Sequence, residues 1–315
     1  MHSGKGLLNA LLQFLLLQLC NSSTTNITFD QSIRHGDLLL SHDETFVLGF
    51  FSPGTSRKRC VGIWYNFSED MAVWVANRDD PVNDTLGILT ISTDGNLVLL
   101  HSNRQGLPLW SSNVSVSPTS TTNTMAQLLD TGNLVLVNQD TNHNSVLWQS
   151  FDHPTHVLLP NMKIGMDHGK NLYLTSWNSN NDPGTGNCSF TTEPYGSPQI
   201  ILYNNHAKWW RLSEPDAVFV SESPKISRRS SSDTFDIILV KNEDEITTPW
   251  AVLDHSVFSI IVISESDTSA SVKQLAWQGK QQGWVVVWSA PTDVCDKYGT
   301  CGPFGVCNTH TAKTG

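Results

Sequence analysis

The chain has 315 residues, of which 15% are charged, and a formal net charge of −10. An acidic balance of this size excludes a global electrostatic attraction to nucleic acid or to an anionic membrane surface. The length suffices for two modest domains and part of a third.

Residues 1–23 read as a secretory signal peptide. Lys5 supplies the positive region, an apolar core follows over residues 7–19, and small residues between Cys20 and Thr25 offer a peptidase its cut. The core is shorter than the roughly 20 residues a membrane-spanning helix needs. Beyond it the longest strongly apolar run is "VFSIIVIS", residues 257–264, which is strand length. The expectation is a protein with no membrane span in this chain, secreted or held at the extracellular face of the plasma membrane. Export permits glycosylation, and N-x-[ST] sequons start at Asn26, Asn66, Asn83, Asn113 and Asn187, with another at Asn21 beside the expected cut. Arg57, Lys58 and Arg59 read as a solvated loop.

From residue 24 onward, β-branched or alternating runs of five to eight residues are separated by Gly, Asn, Asp, Pro and Ser. Past the signal, no window of twelve residues carries a helical apolar period, so the chain is expected to be all-β. A repeat lies within it. "ILTISTDGNLVLLHSNRQGLPLWSSN", residues 88–113, returns as "MAQLLDTGNLVLVNQDTNHNSVLWQSF", residues 125–151. A more worn copy precedes both, from "LSHDETFVLGFFSPG" at Leu40 to "AVWVANRDDP" around Trp74. Trp74, Trp110 and Trp148 are spaced by 36 and 38 residues. A fixed period of this size means one supersecondary unit used three times. Each copy is expected to form a sheet of about four strands, too small to bury both faces alone, so three must pack around a shared centre. The indoles, each able to bury about 200 Å², are the natural core plugs.

These residues resemble a known family. Three repeats with "GNLVL" and "VWVANRDDPV" resemble the bulb-type mannose-binding lectin domain, a three-fold β-prism, here over residues 24–153. "LWQSFDHPTHVLLPNMKIG" resembles the hinge that follows it in plant S-locus glycoproteins and S-domain receptor-like kinases, residues 154–170. "LTSWNSNNDPGTGNCSF" resembles the start of their β-rich S-locus glycoprotein domain, residues 171–290. "WSAPTDVCDKYGTCGPFGVCN" resembles its end and the opening of an EGF-like module, residues 291–315. The resemblance implies a non-catalytic extracellular recognition module that acts in cell-surface recognition, such as recognition of pollen or defence signalling. It implies an extracellular peptide or protein ligand, a mannose-type glycan as the alternative, and homo- or hetero-dimers of ectodomains. Any serine/threonine kinase would lie in a part absent from this chain.

The bulb-lectin sugar site has the pattern Q-x-D-x-N-x-V-x-Y, whose alternate side chains would line one face of a strand. Ser92, Asp94, Asn96 and Val98 are the best match, with Leu100 in place of the Tyr. The second copy offers Leu129, Thr131, Asn133, Val135 and Val137, and Asp130 falls one residue out of register. The worn copy offers Ser41, Asp43, Thr45, Val47 and Gly49. The same "DGN" and "TGN" read equally as turns, with Gly supplying positive φ and Asp and Asn bonding to nearby backbone. Both readings stand at this level.

By resemblance, Cys295 pairs with Cys307, and the partner of Cys301 lies beyond Gly315. Cys60 and Cys188 are either buried thiols or a pair bridging two domains. His153 and His156 in "HPTH" lack the carboxylates or thiolates that would make a zinc site, and neither a metal nor a cofactor is expected. Glu243, Asp244 and Glu245 read as a solvated turn, and "KISRRSSSD", residues 225–233, as an exposed loop. No G-x-S-x-G, H-E-x-x-H, P-loop or kinase signature occurs.

Overall fold

The computed structural model describes residues 23–104, 106–115, 123–140, 143–196, 198–212, 226–229, 235–252, 256–266, 269–302 and 305–307. The expected signal peptide and the sequon at Asn21 lie outside these residues. The described chain consists of strands joined by turns and two short 3-10 turns, with no α-helix. It divides into two compact units, one ending at Gln149 and the other beginning at Ser150.

The first unit holds three antiparallel sheets, one per sequence copy. The first sheet runs, in spatial order, Ser23–Thr24, Leu38–Leu40, Phe46–Phe51, Cys60–Tyr65, Ser68–Val75; only its two-residue edge strand pairs parallel. The second runs Trp110–Ser111, Leu97–His101, Gly87–Ile91, Ser32–Ile33. The third runs His143–Gln149, Leu134–Asp140, Thr124–Leu128, Asn26–Ile27. Burial alternates strictly along Gly87–Ile91 and Thr124–Leu128, as a sheet with one face on a core requires. Trp74, Trp110 and Trp148 meet edge to face, with ring centroids 5.9, 5.9 and 5.5 Å apart. Each sheet contributes one indole to this closed triangle, the geometry in which the positive edge of one ring meets the negative face of the next.

Residues 23–33 add what the repeat did not announce. They place one two-residue strand in each sheet in turn: first, third, then second. Such strands are too short to show a period of two, and the second and third carry a single apolar plug each while Ser23–Thr24 carries none. Ile27 and Ile33 are both buried.

The second unit is again built of three sheets among the described residues. Leu174–Ser179, Asp182–Glu193, Gln199–Asn204 and Ala207–Arg211 form a meander. Lys170–Leu172, Lys163–Asp167, Glu245–Val252, Phe235–Lys241 and Ile226–Arg229 form the next sheet. Val157–Leu158, Ser259–Ser266, Ser269–Trp277 and Trp284–Ala290 form the last. The segment expected as a hinge, residues 154–170, is instead structural. It gives a strand to the last sheet and then to the middle one before the first meander is built. Leu158, Leu159, Met162 and Ile164 are buried, Asn161 N donates to Trp250 O at 2.8 Å, and Trp250 N donates to Met162 O at 3.2 Å. That much apolar burial is what a linker lacks. The "KISRR" stretch is corrected in the same way. Ile226–Arg229 pairs antiparallel with Phe235–Lys241 instead of looping out, because Ile226 and the run after Thr234 supply a β-forming partner.

A disulfide joins Cys295 to Cys307, with Cα atoms 5.6 Å apart. The segment between them is fastened to the second unit. Tyr298 N donates to Trp209 O at 2.8 Å, and the Lys297 ammonium lies 4.3 Å from the centre of the Trp209 ring. Cys60 and Cys188 are buried thiols outside any disulfide, and Cys301 is a half-buried thiol. Burial, assisted by Glu265, pushes the Cys188 thiol up to about 12, so it stays protonated and inert.

Candidate functional site

Ser92, Asp94, Asn96 and Val98 do come together, but not as one strand face. Only Val98 and Leu100 lie on Leu97–His101, while Ser92, Asp94 and Asn96 form the turn that leads into it. Gly95 sits at φ +82°, which ends the extended chain and turns it back. Ser92 N closes the turn by donating to Asn96 O at 2.8 Å, and Gly95 N donates to Ser92 O at 2.9 Å. Ser92 Oγ donates to Asp94 Oδ1, and Asn96 N donates to the same oxygen at 3.3 Å. These bonds, led by the one from Ser92, hold the Asp94 carboxyl below its ordinary pKa.

Asn96 is the centre of this arrangement and is 6% exposed. Its side-chain oxygen accepts from Ser112 Oγ at 2.9 Å and from Val114 N at 2.7 Å. Its Nδ2 donates to Val114 O at 3.1 Å and to Asp94 Oδ2 at 3.2 Å. A carboxamide has two donors and two acceptor sites, and all four are taken inside the fold. Ser112 Oγ in turn accepts from Leu97 N at 3.1 Å. Asn96 thus ties the chain leaving Trp110–Ser111 to the turn that enters Leu97–His101. Val98, expected as the apolar sugar contact, is 4% exposed and packs inward. Asp94 alone of the four is exposed.

The other two copies place related turns at the same point of their sheets. Glu44, Gly95 and Gly132 all have positive φ, at 59°, 82° and 83°. Each donates its N–H to the residue three earlier: Ser41, Ser92 and Leu129. In the first copy, Asp43 accepts from Ser41 Oγ and from Thr45 N and Oγ1. Asp130 accepts from Asp43 N at 2.9 Å and so joins the turns of the first and third sheets. Asn133 Nδ2 donates to Gln149 at 2.9 Å. In the first copy Asn77 takes the tethering part, accepting from Val61 N at 2.8 Å and donating to Asp80 O at 3.0 Å. Ser112, Gln149 and Asn77 each follow their copy's Trp by one to three residues. That offset from the Trp is the signal by which these tethers could have been found.

The remaining candidates are structural. His156 is buried and its ring lies 4.8 Å from Trp177, while burial lowers the His153 pKa. Among the described residues no group of three or more His, Cys, Asp or Glu is placed to hold a metal ion. Asn242 Oδ1 accepts from Asp244 N and Glu245 N and so shapes the acidic turn, and Glu245 bonds Lys163 at 2.9 Å. Of the sequons, Asn66, Asn83, Asn113 and Asn187 are exposed and Asn26 is half-buried. Asn66 Nδ2 donates to Glu44 O, and Asn187 donates from N and Nδ2 to the two oxygens of Glu265. Ser176 Oγ adds a third bond to that carboxylate at 2.7 Å, a cluster with no sequence signal. No helix among the described residues is long and apolar enough to cross a membrane.

Two family models match in the order the strands suggest. D-mannose binding lectin covers residues 71–178, and S-locus glycoprotein domain covers residues 218–314. The chain therefore carries a D-mannose binding lectin match followed by an S-locus glycoprotein match. The first match starts in the last strand of the first sheet and runs past Gln149, so it is offset from the compact unit. A G-type lectin S-receptor-like serine/threonine-protein kinase of Arabidopsis thaliana is 40% identical to this chain over 301 residues, which is 95% of this chain and 34% of that protein. A second kinase of that description, from the same plant, is 40% identical over 304 residues, 96% of this chain and 35% of its own. This chain therefore spans about a third of the length of these curated relatives. Among solved structures, a monomeric monocot mannose-binding lectin from Gastrodia elata covers 40% of this chain and 96% of its own, at 20% identity and a TM-score of 0.31.

Proposed function

We propose that this chain is a non-catalytic extracellular recognition module of the receptor-ectodomain type, and that its partner is a peptide or protein rather than a mannose-type glycan. The observation that carries the second half is Asn96, whose four hydrogen-bonding positions are all used within the fold. A sugar hydroxyl could bond there only by breaking a buried internal bond, and each such exchange yields at best about 1 kcal/mol net. The first half rests on the two family matches and on relatives that match almost the whole chain while extending far beyond it. Their names carry a protein kinase activity. It would belong to a part of such a protein outside these 315 residues. A location outside the cell, in solution or at the membrane surface, follows from the signal-like start and the sequons, and glycans are proposed at Asn26, Asn66, Asn83, Asn113 and Asn187.

The mannose reading keeps one observation in its favour: the Asp94 carboxylate stays exposed beside Ser92. A mannan column separates the two. The proposed function predicts passage without retardation. Retention that free mannose reverses and Asp94→Ala abolishes would replace it with the lectin reading.

A further inference from the structure

The meander of the second unit carries a patch of opposite sign to the chain as a whole. Its last strand, Ala207–Arg211, pairs with Gln199–Asn204 through a bulge at Trp209, which has no residue opposite it. In an unbroken strand, positions 208 and 211 would point to opposite faces. The extra residue sets Lys208 opposite Tyr203 and Arg211 opposite Ile201, two residues apart on a regular strand, so both cations share one face. Glu193, opposite Gln199, lies on the same face. The segment around the disulfide completes the patch. Trp210 and Lys297 form an antiparallel bridge, and Tyr298 N donates to Trp209 O at 2.8 Å, which lays residues 297–298 along the edge of the strand. The centre of the Tyr298 ring is then 5.7 Å from Lys208 Nζ and 5.9 Å from Arg211 Cζ, and the centre of the Trp209 ring is 4.3 Å from Lys297 Nζ.

The three cations are not equivalent. Lys208 meets Glu193 at 2.6 Å, so its charge is matched inside the fold. Arg211 and Lys297 are in no ion pair among the described residues. Arg211 is exposed, and its distance from the Tyr298 ring is near the limit of about 6 Å for a cation–π contact. The ring therefore positions the guanidinium without using its N–H donors. A chain of net charge −10 thus presents two unmatched cations beside two aromatic rings.

We propose that this face binds a carboxylate side chain of a peptide partner. Arg211 offers the carboxylate two parallel N–H groups, Lys297 adds a second positive charge, and the Trp209 and Tyr298 rings receive the apolar residues on either side. Trp, Tyr and Arg are the side chains that most often anchor such contacts. The proposal rests on the reading of the chain as a module whose partner is a peptide or protein, and it gives that partner its chemistry. A single carboxylate fits better than a polyanion. Glu193 lies on the same face, and Asp293 and Asp296 lie in the turn just before Lys297, so further negative charges close to the first meet repulsion. This favours a peptide with one acidic residue between apolar ones over an acidic polysaccharide charged at every sugar.

The test titrates a blocked peptide, acetyl-Gly-Leu-Glu-Leu-Gly-amide, into the secreted chain and follows it by saturation-transfer NMR. A dissociation constant on the order of 1 mM is expected of so short a ligand. Replacing the peptide's Glu by Gln should weaken binding at least about tenfold, and so should Arg211→Ala in the protein, with unchanged circular dichroism. Added salt should weaken binding as well. The Gln peptide reads the contact from the partner's side with the parent chain, and it decides the matter should Arg211→Ala misfold. Equal binding of the Glu and Gln peptides, binding of neither, or a folded Arg211→Ala variant that binds as before overturns the proposal. So does tighter binding of trigalacturonate than of the Glu peptide, which assigns the patch to an acidic polysaccharide. The mannan column is read separately: a chain that passes it and ignores the peptide loses this site and keeps the recognition reading.

Discussion

Among the described residues both units are three sheets, and in both an early strand joins the last sheet and the next joins the middle one before most of the first sheet is built, yet their centres differ. The first unit gathers one tryptophan from each sheet into a single triangle. The second spreads its tryptophans into separate contacts: Trp210 with Trp288, Trp277 with Trp284, Trp177 with His156, and Trp250 buried with no other ring paired to it among the described residues. The difference teaches that a three-sheet plan needs burial from each sheet but not the same residue from each. Where one residue type serves all three, the sequence repeats. Where different residues serve, the plan persists without a repeat.

The sharpest way to break this comparison is at the triangle. Trp148→Ala removes a ring that touches both other indoles, and a buried Trp→Ala change of this kind costs about 3–5 kcal/mol. Hydrogen exchange should then rise across all three sheets of the first unit, because the three rings share one centre. Loss of protection in the third sheet alone would mean that the sheets are stable separately.

A second contrast is electrostatic. Glu265, in the second unit, accepts from Ser176 and Asn187. Burial acts to raise its pKa, but those bonds outweigh burial and hold it below the ordinary glutamate value. A depressed folded pKa gives stability that is present above the unfolded value and is lost as the pH falls through the folded one. The second unit should therefore lose protection below the ordinary glutamate range, and Glu265→Gln should flatten that acid dependence. An unchanged acid profile in the variant would assign the loss to other carboxylates.

The smallest effect is expected at Arg104 and Asp80 in the first unit, 3.1 Å apart and both about half exposed. Arg104→Ala should change the unfolding free energy by no more than about 0.5 kcal/mol, because an exposed pair gains little over its hydration. A larger change would show that the prism depends on its surface charges as well as on its core.

The all-β class, the three copies and the central tryptophans were legible because a period of 36 and 38 residues and a strand period of two survive in the sequence. The strands at Asn26–Ile27 and Ser32–Ile33 were not, since two residues cannot show a period. The stretch 154–170 was read as a hinge from the resemblance alone; its buried residues are interrupted by Pro160, Asn161 and Gly165, turn formers that here redirect a chain between two sheets. At the candidate site the residues were legible and their directions were not. Alternation along a strand assumes an unbroken strand, and Gly95 at φ +82° breaks it before Asn96. The partners Ser112 and Val114 lie sixteen and eighteen residues away, and no local rule points from Asn96 to them.

The best copy of the sugar-like motif serves the fold. The most direct measurement is the unfolding free energy of Asn96→Ala beside that of Asp94→Ala. A loss of about 2–3 kcal/mol is expected for Asn96→Ala, since buried groups on Ser112 and Val114 lose their partner, and a clearly smaller loss for the exposed Asp94→Ala. An Asn96→Ala variant as stable as the parent would contradict it, and would return Asn96 to the candidates for binding a ligand.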